Sequence, residues 1–175
     1  MRYFGAGWRV ARRSRYQGAA LQLVDDKNRV SIPAKFRDAV IANSDPEALK
    51  NGASVTLAVH PKGKCLIGYD EGYLDTRLER AAAVAAARAD ELGDEDDNVY
   101  RRMAGGGEPT NFDSTGRCVL LGWQKRKVNL TKHAFFYGSI DCFEIWDPET
   151  LFADADAPEV MKDACRLIME DKGLV

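Results

Sequence analysis

The stretch that decides the fold is Leu21-Gln22-Leu23-Val24-Asp25-Asp26-Lys27-Asn28-Arg29-Val30-Ser31-Ile32-Pro33-Ala34-Lys35-Phe36-Arg37. Apolar residues alternate at Leu21 and Leu23, and again at Val30 and Ile32, which predicts two half-buried strands. The polar residues between them predict a tight hairpin loop. Pro33 predicts the start of a short helix. A loop of this kind would project two long cationic side chains from a rigid base.

The same loop occurs twice in the chain. In the first copy Asn28 tolerates the positive φ that such a turn needs, and Asp25 can hold the turn through its own backbone. The second copy, from Asp113 to Arg117, keeps the Asp-x-x-x-Arg spacing and has Gly116 at the position of Asn28. A five-residue pattern carries little information once, but two copies in matching context indicate an internal repeat.

Length and composition are typical of a globular protein. The 175 residues allow one large or two small domains, and 45% hydrophobic with 30% charged residues is ordinary. No apolar run reaches the length of a membrane span, and no signal peptide is recognisable, so we expect a cytoplasmic protein without a membrane partner. The cysteines lack a C-x-x-C pattern, and His60 and His133 stand alone, so we expect neither a disulfide scaffold nor a metal site.

Charge is distributed in blocks although the net charge is only −2. Residues 1–37 contain nine Lys and Arg against two Asp and Glu, and residues 101–133 contain seven against two. Residues 70–97 and 141–175 each contain three against ten. Charge runs usually mark solvated faces, but here the basic blocks coincide with the two loops. This pattern favours two related basic faces.

Four segments are predicted. Residues 1–15 form a basic, mobile N-terminal extension, unless the start codon is wrongly assigned. Residues 16–92 form the first repeat and end in a long helix from Glu71 to Leu92. Residues 93–110 form an acidic linker with a short helix, and residues 111–175 form the second repeat. Its closing helix starts at Pro158 and is predicted to bury the side chains of Val160, Met161, Ala164, Cys165 and Ile168.

The residues of both loops resemble a known family. Val24 to Arg37 is similar to the first signature of the MraZ family of bacterial transcriptional regulators. Phe112 to Arg117, followed by Phe143 to Asp147, is similar to the second. Tyr16 to Gly18 fits the usual start of the family, and Tyr100 to Met103 fits its inter-repeat helix. The resemblance covers about residues 16–152.

The resemblance implies an α+β fold of the AbrB-like, swapped-hairpin (SpoVT-AbrB) type. Two repeats would interlock into one double-split β-barrel with flanking helices and a pseudo-twofold axis within one chain. It also implies a ring-like homo-oligomer that binds double-stranded promoter DNA at short G-rich direct repeats. The expected function is regulation, as a repressor, of the division and cell-wall gene cluster, in the cytoplasm at the nucleoid.

The resemblance implies a role for the two loop arginines, and position and charge suggest the roles of the other candidates. Arg29 and Arg117 match the arginines of the loops and would bond guanine O6 and N7 in the major groove. Lys27 would read a neighbouring guanine or hold a phosphate. Phosphate contacts, which position without specifying, are expected from Lys35, Arg37, Lys125 and Arg126. Loop shaping is expected from Asp25, Asn28, Asp113 and Gly116.

The sequence departs from the family pattern at three places. Asn28 replaces the glycine of the first loop, a mild change because Asn tolerates the left-handed conformation. Thr115 stands where Lys27 stands in the first copy, so the second loop offers one cation instead of two. Leu121 and Gly122 replace the helix-opening proline. The second copy is therefore expected to be partly structural.

Other classes of function find less support in the sequence. Any one of the charged loop residues could be an ordinary surface side chain in a turn. The duplication and the flanking match favour the DNA-binding role for Arg29 and Arg117, and they favour it less for Lys27 and least for Lys125 and Arg126. No nucleophile elbow, zinc motif or dinucleotide fingerprint is present, so we expect neither an enzyme nor a cofactor. The alternative is an antitoxin-like or ring-forming protein-interaction module of the same fold with weak or lost DNA readout.

Overall fold

The computed structural model describes residues 13–87 and 107–175. In this part of the chain, strands and helices alternate in two similar halves. The elements are β1 (Ala19–Leu23), β2 (Arg29–Ser31), α1 (Ala34–Asn43), α2 (Pro46–Leu49), β3 (Ser54–Val59), β4 (Leu66–Tyr69), α3 (Glu71–Ala87), β5 (Gly107–Asn111), β6 (Arg117–Val119), α4 (Gly122–Lys127), β7 (His133–Gly138), β8 (Phe143–Trp146), α5 (Pro148–Ala153) and α6 (Glu159–Asp171). The predicted helix over 99–103 and the end of the predicted helix over 71–92 lie outside the described residues.

The strands form two antiparallel sheets. Six strands lie in the order β1-β7-β8-β4-β3-β5, and β2 pairs with β6 in a separate two-stranded ribbon. The counterparts in the two halves are β1 and β5, β2 and β6, β3 and β7, and β4 and β8. Exchanging each strand of the large sheet for its counterpart gives the same order read in reverse. Among the described strands, β1 with β7, β2 with β6, β3 with β5 and β4 with β8 pair between the halves, whereas β3 with β4 and β7 with β8 pair within one half. The predicted mixture of helices with an antiparallel sheet is confirmed.

The two strands that flank the first loop do not pair with each other. The loop closes locally, with the Asp25 amide donating to the Arg29 carbonyl at 3.0 Å and the Asn28 amide to the Asp25 carbonyl at 2.9 Å. Beyond it, β1 pairs with β7 and β2 pairs with β6. An isolated pair of short strands is marginal in water, so joining larger sheets is favourable. The predicted pairing of the two strands that flank the first loop is therefore wrong, whereas the predicted turn between them is present.

The second predicted hairpin does pair internally. Thr56 lies opposite Tyr69 and Val59 opposite Leu66, so β3 and β4 form a regular antiparallel pair. The His60 amide donates to the Cys65 carbonyl at 2.9 Å and closes the connection. The paired residues are 7 to 13 positions apart, so this hairpin lies within one short segment, and its predicted pairing is confirmed.

An aromatic cluster fills the space between the ribbon and the six-stranded sheet. The Phe36 and Phe143 rings are stacked with centroids 5.1 Å apart, and Tyr16 and Phe136 lie 5.5 and 5.9 Å from Phe143. Gly68 leaves room for the Phe143 ring, since a Cβ there would lie 2.1 Å from its Cζ atom. Real Cβ contacts are never that close, so this position in β4 requires glycine.

Helix α6 covers part of the other face of the large sheet. Met161 and Cys165 are buried there, and Ala164 and Ile168 pack against the same cluster. Val160 was predicted to point inward, but its side chain is 66% exposed. Val160 lies about 100° around the helix from Met161, outside the stripe of Met161, Cys165 and Ile168 that packs on the sheet. The prediction for Val160 is wrong.

The beginning of the described chain is held by ion pairs. Arg13 bonds the buried carboxylate of Asp70, and Arg15 bonds Asp141 in the turn between β7 and β8. The Tyr16 hydroxyl donates to Asp70 at 2.7 Å, and burial, reinforced by this hydrogen bond, raises the pKa of Tyr16 well above its usual range. Residues 13–15, predicted as part of a mobile extension, therefore contact the folded chain.

Residues 107–110, predicted as part of the linker, belong to β5, where they pair with β3. Pro109 is accommodated because β5 is an edge strand, which has hydrogen-bonding groups facing away from the sheet. Among the described residues, no helix is both long and apolar enough to cross a membrane.

Candidate nucleic-acid interface

The first loop is built on the side chain of Asp25. Its Oδ1 atom accepts hydrogen bonds from the backbone amides of Lys27 at 2.9 Å and Arg29 at 2.8 Å. These hydrogen bonds lower the pKa of Asp25 below its usual value, and the bond from the Arg29 amide has the largest effect. Asn28 occupies the left-handed region with φ 57°, as the turn requires. The carboxylate therefore holds the turn while the cations stay outside it.

The same carboxylate also orients the arginine. The Nε of Arg29 donates to Oδ2 of Asp25 at 2.6 Å, and the Arg29 side chain is 37% exposed. A guanidinium carries five N–H donors, so four remain for other partners. Because Nε is occupied, the donors without a partner among residues 13–87 and 107–175 are those of the two terminal nitrogens. This is the end of the group that can bond two acceptors on one base.

The second loop repeats the backbone arrangement but not the ion pair. Oδ1 of Asp113 accepts from the Thr115 amide at 2.9 Å, the Thr115 hydroxyl at 2.6 Å and the Arg117 amide at 3.0 Å. These hydrogen bonds lower the pKa of Asp113 below its usual value, and the bond from the Thr115 hydroxyl has the largest effect. Gly116 has φ 81°. Arg117 is exposed, and within the part of the chain that the structure describes its guanidinium has no ion-pair partner.

The ribbon brings the two arginines to one surface. Arg29 lies opposite Val119, and Ser31 lies opposite Arg117. Opposite residues of an antiparallel pair point to the same face, so all four side chains share the outer face of the ribbon. The residues between them are buried. Arg29 and Arg117 are diagonal neighbours, a relation that separates Cα atoms by about 7–8 Å.

Backbone hydrogen bonds join the two loops to each other's strands. The Ile32 amide donates to the Gly116 carbonyl and the Leu120 amide donates to the Asn28 carbonyl, both at 2.8 Å. Ile32 and Leu120 are 88 positions apart, and so are Asn28 and Gly116. The two bonds are therefore equivalent under the internal repeat. Each loop is anchored by the other half of the chain.

Two basic side chains extend this crosswise support. Nη1 of Arg37 donates to the Ser114 carbonyl in the second loop at 2.7 Å. Nζ of Lys125 donates to Oδ1 of Asn28 in the first loop at 3.0 Å. Arg37 and Lys125 occupy equivalent repeat positions, in α1 and α4. Both contact a loop that belongs to the opposite half.

The comparison with known proteins identifies the family. The chain is 38% identical over 137 residues to the transcriptional regulator MraZ of Ruegeria sp. (strain TM1040), which covers 78% of this chain and 79% of that protein. It is 32% identical over 144 residues to the transcriptional regulator MraZ of Rhodococcus opacus (strain B4), covering 82% of this chain and 89% of that protein. The chain belongs to the MraZ family. No family model matches it.

Membership of the MraZ family confirms the resemblance predicted from the two loops. The structure adds where the candidate residues lie. Lys27, Lys35 and Arg126 are exposed, as phosphate contacts require. Arg37 and Lys125 are partly buried and bonded to the loops, which gives them a supporting role besides any contact with phosphate.

Gly116 has a packing reason in this MraZ-family chain that the sequence did not show. A Cβ at this position would lie 2.4 Å from Cδ of Arg37 and 2.7 Å from the carbonyl oxygen of Ile32. The glycine thus admits the arginine that supports the loop.

Sequence reasoning also missed Ser31 and Val119 on the outer face of the ribbon. The 88-residue repeat offset, which relates these two positions, was the available signal.

Proposed function

We propose that this MraZ-family protein is a sequence-specific DNA-binding transcriptional regulator, acting as a repressor. The observation that carries the proposal is the position of Arg29 and Arg117 on one exposed face of a two-stranded ribbon. The major groove of B-DNA, about 12 Å wide, admits a β-ribbon of this kind. The names of the relatives as transcriptional regulators support the same reading.

In the proposed mechanism the two arginines bond guanine edges. The free terminal nitrogens of Arg29 donate to O6 and N7 of one guanine, while Asp25 keeps the guanidinium in place through Nε. Arg117 contacts a second guanine of the same site. Base pairs are stacked about 3.4 Å apart, so diagonal neighbours on the ribbon span about two steps. Lys27, Lys35 and Arg126 hold phosphates and set the register.

The finer architecture is part of the same proposal. Strand exchange between the halves supports an AbrB-like swapped-hairpin barrel with a pseudo-twofold axis, made of repeats over residues 16–92 and 111–175 with a linker between them. We propose a ring-like homo-oligomer that binds G-rich direct repeats upstream of the division and cell-wall gene cluster, at the nucleoid. A ring would place several ribbons along one DNA and multiply a weak contact through avidity.

A protein-interaction module of the same fold is the second candidate. Helix α6 favours it, because Val160 and Leu167 lie seven residues apart on its outer face with 66% and 60% of their surface exposed. Exposed apolar side chains in a row are typical of contact surfaces. In that case the ribbon would bind DNA weakly or without sequence preference.

The experiment is a fluorescence anisotropy titration with DNA from upstream of the gene and with a scrambled duplex. The wild-type chain should prefer the upstream duplex. Arg29→Ala should lose about 1–3 kcal/mol, or about 5-fold to 150-fold in affinity, because one bidentate guanine contact disappears. Arg166→Ala removes the same charge from α6 and should change binding little.

Circular dichroism and light scattering should show an unchanged fold and an unchanged oligomer for both variants. The proposal would be refuted if the wild-type chain showed no preference between the duplexes. Equal effects of Arg29→Ala and Arg166→Ala would refute the assignment of Arg29.

A further inference from the structure

The outer face of the ribbon carries two unlike pairs of side chains. Arg29 is opposite Val119, whereas Arg117 is opposite Ser31. Ser31 and Val119 occupy equivalent repeat positions, 88 residues apart. The two ends of the ribbon therefore present an arginine beside an apolar group and an arginine beside a hydroxyl. This difference breaks the internal symmetry at the surface proposed to contact bases.

The hydrophobic core does not require a valine at position 119. Its side chain is 52% exposed, while its neighbours Cys118 and Leu120 are 2% and 1% exposed. Threonine and other strand-forming residues would serve the exposed face of a strand as well as valine does. The apolar group therefore stands uncovered on a basic surface.

The register places Val119 close to the arginine. The bonds from Ile32 to Gly116 and from Leu120 to Asn28 flank the ribbon pairs. By the alternation of antiparallel ladders, Arg29 and Val119 then form a non-hydrogen-bonded pair, with Cα atoms about 4.5 Å apart and side chains near each other. The hydrogen bond from Arg29 Nε to Asp25 keeps the guanidinium near the ribbon. A short side chain beside it can thus reach the same layer of bases.

We propose that Val119 is a specificity-determining residue that contacts the C5 methyl group of a thymine next to the guanine bonded by Arg29. In the major groove, thymine is distinguished by this methyl group, which apolar side chains contact. Ser31 makes no such contact beside Arg117, so the two ends of the ribbon read different steps. The inference rests on the proposed DNA-binding function and names the base that accompanies guanine.

The test uses duplexes selected from a random pool by the full-length wild-type protein. Each thymine of the selected site is replaced in turn by deoxyuridine, which removes only the methyl group, and affinities are measured by anisotropy. At one thymine adjacent to a guanine, deoxyuridine should weaken wild-type binding about twofold to fourfold, the effect of one buried methyl group. Val119→Ser, which copies Ser31, should bind the thymine and deoxyuridine duplexes equally.

The reverse substitution provides a matched variant. Ser31→Val should make a second position, next to the guanine of Arg117, sensitive to deoxyuridine. Thermal unfolding and light scattering are measured for both variants, since both positions are on the surface.

The outcomes separate the two proposals. A wild-type protein that selects no sequence overturns the proposed function and this inference with it. A selected site without a methyl-sensitive thymine, or a Val119→Ser variant that keeps the wild-type sensitivity, overturns the inference and leaves the DNA-binding function standing. A Val119→Ser variant that changes oligomer size without changing methyl sensitivity assigns Val119 to a protein contact and also overturns it.

Discussion

Replacing Asp70 by asparagine should destabilise the whole fold. Oδ1 of Asp70 accepts from Arg13 and from the Tyr73 amide at 3.2 Å. Oδ2 accepts from the Tyr16 hydroxyl at 2.7 Å and from Nδ2 of Asn43 at 2.9 Å. The Asp70 side chain is 1% exposed. One buried carboxylate thus joins the start of the described chain to the ends of two helices.

Asparagine cannot satisfy these four donors. Either orientation of its amide turns an NH₂ group toward groups that already donate. Asn43 cannot rotate to compensate, because its Oδ1 accepts from the Ser14 amide at 2.8 Å and its Nδ2 donates to the Ser14 carbonyl at 3.0 Å. Breaking one partner of a buried ion pair costs about 3–5 kcal/mol. For a chain of this length, that lowers the Tm by roughly 6–20 °C.

The assay is equilibrium unfolding in urea followed by circular dichroism, with a thermal melt beside it. Asp147→Asn is the matched control, because Asp147 is 3% exposed and accepts from Thr131, Glu149 and Thr150 without a cationic partner among the described residues. Asparagine can still cap the amides of Glu149 and Thr150, but its NH₂ group then faces the Thr131 amide. This variant should therefore lose about 1–3 kcal/mol, without breaking an ion pair. A loss for Asp70→Asn no larger than that for Asp147→Asn would refute the reasoning.

Asp25→Asn should lower the ratio of specific to non-specific DNA affinity about twofold to fivefold, because it removes an exposed ion pair that orients the arginine. Asp26→Asn removes the same charge from an exposed neighbour and should raise both affinities; equal behaviour of the two variants in anisotropy titrations would contradict the orienting role. A fragment ending at Tyr69 lacks the partners of β1 and β2, so circular dichroism should show it unfolded unless two copies pair, and a folded monomer would contradict the crosswise pairing. Deleting residues 1–12, which contain three arginines, should flatten the log–log salt dependence of DNA binding by at most about 2.7, at roughly 0.9 for each phosphate contact. An unchanged slope would show that this segment does not contact DNA.

The first described residues show where the N-terminal segment joins the fold relative to the Arg29 loop. Tyr16 bridges to Ile140, and Ala19 lies opposite Tyr137, whereas the loop follows the other end of β1. Residue 13 therefore emerges from the fold at the end of β1 opposite the Arg29 loop. Twelve extended residues span up to about 40 Å, so the segment is long enough to return along the strand, although Arg13 and Arg15 are already paired with carboxylates.

What the sequence alone determined was local. The turn at Asp25 and Asn28 depends on hydrogen bonds that span at most four residues, and the β3–β4 pair closes over a short connection. Such contacts form at little cost in chain entropy, so their residues carry a readable pattern. The 88-residue repetition of the loop is likewise visible in the sequence, and it is sufficient to indicate the family.

Only the tertiary structure decided which strands pair and what surrounds the arginines. The alternation of apolar residues does not distinguish pairing of β1 with β2 from pairing of β1 with β7, because Leu21 would face the core in either case. The choice depends on burying both sheets around the aromatic cluster, a property of the complete chain. The same long-range packing sets Arg37 against the second loop, turns Val160 outward and places Val119 beside Arg29, because each of these depends on elements that are distant in the sequence.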